Sequence, residues 1–129
     1  MMNAAEMCLR VPGKQEYALV LRTALGGVAV IKDLNVDVLD DLRMATDEAF
    51  ACLTQQGRVV DHLVLSVFDQ ESKLTVQLEA EFAGDTCVPC EDMTAISQAV
   101  LETLIPQVEL VTCECGCIQS IRLTLNKAV

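Results

Sequence analysis

The chain has 129 residues, 52% of them hydrophobic and 22% charged, which is one globular domain's worth with no need of metal or disulfide staples. Nine Lys and Arg against nineteen Asp and Glu leave a net charge of −10, which weighs against nucleic-acid binding and suits a protein partner with a basic face, or solubility alone. No apolar run approaches the roughly 20 residues of a membrane span, and the start MMNAAEMCLRVPGK has no basic region leading into an apolar one, so a single cytoplasmic domain over residues 1–129, without membrane contact, is expected.

Alternation of Met7, Leu9 and Val11 against Cys8 and Arg10 predicts a first strand, ended by Pro12 and Gly13. From Lys14 to Lys32 the period lengthens. Tyr17, Leu21, Ala24, Leu25, Val28 and Ile31 recur at the spacing of one helix face. Gly26 and Gly27 weaken that helix and suggest close approach of another backbone. Asn35 is a good N-cap for a second helix over Val36 to Gln55, with Asp37 complementing its dipole and Leu39, Leu42, Ala45, Ala49 and Leu53 as its stripe.

Val59 to Phe68 predicts a strand with Val59, Leu63, Leu65 and Val67 on one face. After the polar loop Asp69 to Ser72 comes a cleaner one, Lys73 to Phe82, with Leu74, Val76, Leu78, Ala80 and Phe82 inward. One apolar and one polar face imply an antiparallel sheet covered on one side. A loop over Ala83 to Cys90 leads to a third helix, Asp92 to Ile105, with Met93, Ile96, Val100 and Leu104 on its apolar face and Pro106 as its stop. Val108 to Thr112 and Ile118 to Leu125 predict two closing strands that turn near Glu114, Cys115 and Gly116. The expected class is therefore α+β, a two-layer sandwich of an antiparallel or mixed sheet with helices on one face.

Two segments carry a resemblance. Glu16 to Leu53, EYALVLRTALGGVAVIKDLNVDVLDDLRMATDEAFACL, resembles the first two helices of the bacterial anti-sigma-factor serine kinases, which have the Bergerat-type ATPase fold shared with histidine kinases. Ala99 to Val129, AVLETLIPQVELVTCECGCIQSIRLTLNKAV, resembles their closing helix, strand, hairpin and strand. With the middle hairpin, the resemblance covers nearly the whole chain. It implies an ATPase domain of the histidine-kinase and anti-sigma-kinase type, with ATP and Mg²⁺ as cofactors where the site is intact.

The family's chemistry rests on a helical E-x-x-x-N, whose glutamate is the base toward the attacking hydroxyl and whose asparagine binds Mg²⁺. A spacing of four puts both on one face. By the resemblance Glu48 holds the catalytic position and Cys52 the asparagine position. A soft thiol is a poor partner for a hard cation, and Glu48 without its partner also reads as a solvated helix carboxylate. The family's adenine-binding D-x-G falls on Ala80 and Phe82, neither of which can do that work, and a small shift would offer Glu79 or Glu81 instead, neither of them with the glycine that should follow. Its phosphate-cradling glycine lid corresponds to Ala83 to Asp92, which has one glycine and acidic residues at the helix start.

Three nucleotide features are thus replaced. The resemblance then implies a degenerate regulatory protein that binds a sigma factor or a STAS-type antagonist, with ATP binding lost or weak and no cofactor expected. Homodimerisation also follows from the resemblance. The alternative is an active protein serine kinase, with Glu48 as base, that phosphorylates an antagonist.

Seven cysteines leave a further alternative. Cys87-x-x-Cys90 and Cys113-x-Cys115-x-Cys117 invite a metal or redox reading if the two loops meet. C-x-C-x-C is an unusual zinc spacing, however, and around a turn it is expected to scatter its thiols. The favoured reading is no metal, with the cysteines as small packing residues or reduced surface thiols. His62, the one histidine, is expected on the strand face opposite Leu63.

Overall fold

The computed structural model describes residues 4–84 and 94–127. Its order is β1 (Met7–Pro12), a 3-10 turn (Gln15–Tyr17), α1 (Ala18–Ile31), α2 (Val36–Thr54), β2 (Val60–Asp69), β3 (Lys73–Phe82), α3 (Thr94–Glu102), β4 (Gln107–Thr112) and β5 (Ile118–Asn126). The strands form one antiparallel sheet in the order β1-β2-β3-β5-β4. This is the α+β sandwich that the alternating patterns predicted.

The register explains why the sheet has one dry face. Leu9, Leu65, Leu78, Ile121 and Leu110 stand side by side across all five strands, and so do Met7, Val67, Val76, Leu123 and Val108. Leu21, Leu25, Leu42, Leu53 and Leu101 of the helices join the same buried cluster. On the opposite face the rungs are polar. Arg10 Nε donates to Glu81 Oε1 at 2.7 Å, and Arg122 Nη2 donates to Gln77 Oε1 at 2.5 Å. His62 lies on this face, with its Nδ1 3.2 Å from Arg10 Nη2 and 3.0 Å from Asp61 Oδ2.

The details depart from the sequence pattern in four places. The second strand starts at Val60, and Val59 is exposed. A bulge between Val60 and His62 resets the alternation, so Val60 is buried and Asp61 is turned to solvent. In α1, Ile31 is 76% exposed, because the stripe ends at Val28 and Ala29 where the helix leaves the sheet. In α3 the inward residues are Ser97 and Leu101, followed by Ile105, while Ile96 and Val100 face outward. The turn after α3 buries Ile105 four residues beyond Leu101, and that i, i+4 anchor fixes the helix's rotation. Finally, Gly26 is small against the Arg43 side chain, 3.2 Å from where a Cβ would stand, rather than against a backbone, and Gly27 meets nothing. The glycine that does need its missing side chain is Gly13, whose Cβ would lie 2.4 Å from the Val60 carbonyl oxygen.

Candidate functional site

Asn35 starts α2 by accepting the Val38 N–H at 2.9 Å. The 3.6-residue period then carries Glu48 and Cys52 to one face near the helix's C-terminal end. That face, the start of α3 and the β4–β5 hairpin enclose a cavity of about 420 Å³, a size ordinary for a small-molecule site. Glu48, Cys52, Gln56, Ser97, Gly116 and Ile118 are among its walls. Gln56 fixes the wall nearest the hairpin. Its amide donates to the Ile118 carbonyl at 2.5 Å and accepts the Ile118 N–H at 2.7 Å, as a neighbouring strand would.

Cys52 Sγ lies 3.2 Å from Ser97 Oγ and 3.7 Å from Glu48 Oε1. Burial pushes this thiol's pKa up. Ser97 opposes the shift and the Glu48 carboxylate adds to it, so the net direction is upward and Cys52 is a neutral thiol at pH 7. A neutral sulfur facing a carboxylate does not fit a Mg²⁺ ligand pair. Among the described residues lining the cavity, Glu48 is the one with a formal charge, so no lysine or arginine there meets phosphate groups. Ala80 is 3% exposed, within the core cluster opposite Leu63, and does not line the cavity. Phe82 is half-buried, with the Arg58 guanidinium 4.3 Å from its ring centre, and does not line it either. Of the four positions that the resemblance assigns to a nucleotide site, then, Glu48 and Cys52 come together at the cavity while Ala80 and Phe82 do not. The lid segment beyond Gly84 lies outside the described residues.

The β4–β5 hairpin presents a second constellation. The Cys113 N–H donates to the Cys117 carbonyl at 2.8 Å, and the Gly116 N–H donates to the Cys113 carbonyl at 3.0 Å. Gly116 turns the chain at φ +94°, a conformation that glycine alone adopts freely. Instead of scattering, the Cys113, Cys115 and Cys117 sulfurs all lie within 4.8 Å of one another. Cys113 and Cys115 Sγ are 2.9 Å apart, beyond the roughly 2.05 Å of a disulfide. Cys115 is disulfide-bonded. Burial raises the Cys113 pKa, but hydrogen bonds from the Cys115 and Cys117 backbone and from Arg58 outweigh it, and the net direction is downward. Cys87 and Cys90 lie outside the described residues.

Sequence reading missed Ser97, Gln56 and Arg58, which no motif marks. It anticipated Gly116 as a turn but not the closure that gathers the thiols. No helix among the described residues is long and apolar enough to cross a membrane. No family model matches the chain, and no curated protein matches it.

Proposed function

We propose that this chain is a regulatory, protein-binding member of the Bergerat-type ATPase fold that resembles the anti-sigma-factor serine kinases, with the nucleotide chemistry lost. The strand order, with both long helices on one face between β1 and β2, is compatible with that architecture. At the metal position Cys52 offers a neutral thiol to Glu48, and the lining has no cation for phosphates.

The observation that carries partner binding is the outer face of α1. Leu19 (60% exposed), Thr23, Gly27 and Val30 (72% exposed) follow one another at helical spacing, with Val20 and Ile31 beside them. A helix that is apolar on both faces is normally covered on both. The small residues Thr23 and Gly27 at the middle of the stripe let a second element approach closely. The overall charge of −10 favours a partner whose surrounding surface is basic. By the resemblance that partner is a sigma factor or a STAS-type antagonist.

The test has two arms. Calorimetric titration of Mg²⁺ with ATP or ADP into the reduced protein is expected to give no binding heat. Titration of the sigma factors and STAS-type antagonists encoded beside this chain is expected to find one binder, and Leu19→Glu or Val30→Glu should weaken it at least about tenfold without lowering the thermal midpoint. ATP binding with phosphate transfer that disappears in Glu48→Ala would establish the kinase reading instead. A binder indifferent to both α1 substitutions would remove α1 as its interface.

A further inference from the structure

We infer that the outer surface of α1 and α2 receives a basic amphipathic helix, whose apolar face lies on α1 and whose lysines or arginines meet a row of carboxylates on α2. The inference rests on the reading of α1 as a partner interface and names the kind of element that binds there.

The two outer faces differ in chemistry and lie side by side. Leu19, Thr23, Gly27 and Val30 mark an apolar row about 16 Å long on α1, and a Cβ added at Gly27 would meet nothing within 4 Å. α2 holds five carboxylates, Asp37, Asp40, Asp41, Asp47 and Glu48, against which the two helices together set two cations, Arg22 and Arg43. Asp37, Asp40 and Asp47 are exposed and share one face with the exposed Met44, at spacings of three and four. The Arg22–Asp47 ion pair at 3.2 Å, and the Arg43 side chain against Gly26, join the helices along their facing sides. The acidic row therefore runs beside the apolar one.

At one end the two rows border a depression of about 410 Å³, whose walls include Glu16, Leu19, Arg22, Asp47 and Phe50. Leu19 and Phe50 suit the methylene stem of a lysine or arginine, and Glu16 and Asp47 suit its charged head. Arg22 pairs with Asp47 and leaves the Glu16 charge for the partner. Both rows follow helix axes and offer side chains, whereas the open strand edges belong to β1 and β4, so the matching element is a helix rather than an added strand. A second copy of this chain would bring two acidic rows together, and an anionic membrane would meet the same repulsion. A helix with large apolar residues on one side and cations along its flank satisfies both rows at once.

The probe is a dye-labelled synthetic peptide of about 18 residues, long enough to be helical, with leucines at the i, i+3, i+4, i+7 spacing and lysines elsewhere. Its binding to the full chain is followed by fluorescence anisotropy at about 0.15 M salt. Two further peptides serve as controls, one scrambled at the same composition and one with glutamates in place of the lysines. The amphipathic basic peptide is expected to bind at least about tenfold tighter than the scrambled one, and the glutamate peptide is expected not to bind. Asp40→Lys with Asp47→Lys should weaken binding at least about tenfold. Glu102→Lys with Glu109→Lys alters the net charge equally, on α3 and β4, and should leave binding nearly unchanged. All four positions are exposed, so both double variants should fold with thermal midpoints near that of the parent chain. Equal weakening in the two double variants would mean that overall charge alone attracts the peptide, and would overturn the inference. Weakening by Leu19→Glu without any by the Asp40 and Asp47 reversals would also overturn it, and would leave α1 as an interface for a partner of another kind. No binding of the amphipathic peptide would overturn it as well, while capture of a native partner through α1 stands or falls on its own titration.

Discussion

Asp69 ends β2 and receives two ammonium groups. Lys32, at the end of α1, contacts it at 2.6 Å while also reaching Glu6 at 2.8 Å, and Lys127, beyond β5, pairs with its other oxygen. One carboxylate therefore ties the helix layer, the β2–β3 turn and the C-terminal end of the sheet. Hydrogen bonds from Lys127 and then Lys32 bring its pKa from an ordinary 3.8 to about 2, and the same contacts to Asp69 and Glu6 raise that of Lys32. The lowered carboxylate stabilises the fold fully above about pH 4 and loses that contribution as pH falls toward 2. The raised ammonium acts below its ordinary 10.5 and loses its contribution as pH climbs beyond that value. Thermal midpoints measured against pH should fall on the acid side, and Asp69→Asn should flatten the fall below pH 4 attributable to this group. An unchanged acid limb in Asp69→Asn would show that the network contributes nothing measurable. Sequence reading placed Asp69 only in a polar loop, since partners 37 and 58 positions away leave no local pattern. Glu48 and Cys52 were legible as a pair because helical periodicity is local. Ser97 was not, because its approach depends on how α3 is rotated.

At the scale of elements, the joint between α1 and α2 is short and strictly built. The Leu34 N–H bonds back to the Ala29 carbonyl and the Asp33 N–H to that of Val30, with Asp33 at φ 56° in the left-handed position that glycine prefers. Two residues later Asn35 opens α2. The joint thus holds one strained residue and one ideal one. Asp33→Gly should raise stability by about 0.5–1 kcal/mol through relief of that strain, and Asn35→Ala should cost about 1 kcal/mol through loss of the cap. Chemical denaturation of the two variants checks both signs, and a loss in Asp33→Gly would mean that the aspartate's own contacts outweigh the backbone strain. The cap was readable from Asn35 alone, and so were the strands, whose pairing shifts register at Val60/His62 and at Val111/Thr112. The faces of α1 and α3 were less so. Both helices carry apolar residues around more than half of their circumference, so periodicity does not single out one direction, and packing at Ile105 and Val28 decides it.

For the whole molecule, nine cationic side chains cannot neutralise nineteen acidic ones, and folding draws at least ten unbalanced charges into a compact body. The described ion pairs of Lys and Arg, apart from the Asp69 group, sit on exposed side chains such as Arg10 with Glu81 and Arg22 with Asp47, where screened attraction contributes little. Salt therefore weakens a large diffuse repulsion more than it weakens a few local attractions. The thermal midpoint should rise between low ionic strength and about 0.15 M, where the Debye length falls to about 8 Å, and a fall over that range would mean that the ion-pair network dominates. The same field acts in the opposite sense on the basic partner proposed above. Association should slow as salt increases while dissociation, set by the apolar α1 stripe, changes little. Stopped-flow association rates against ionic strength, measured with the partner and with Leu19→Glu, separate the two contributions. A slope of association rate that is independent of salt would remove charge complementarity from the recognition and leave the apolar face to account for it alone.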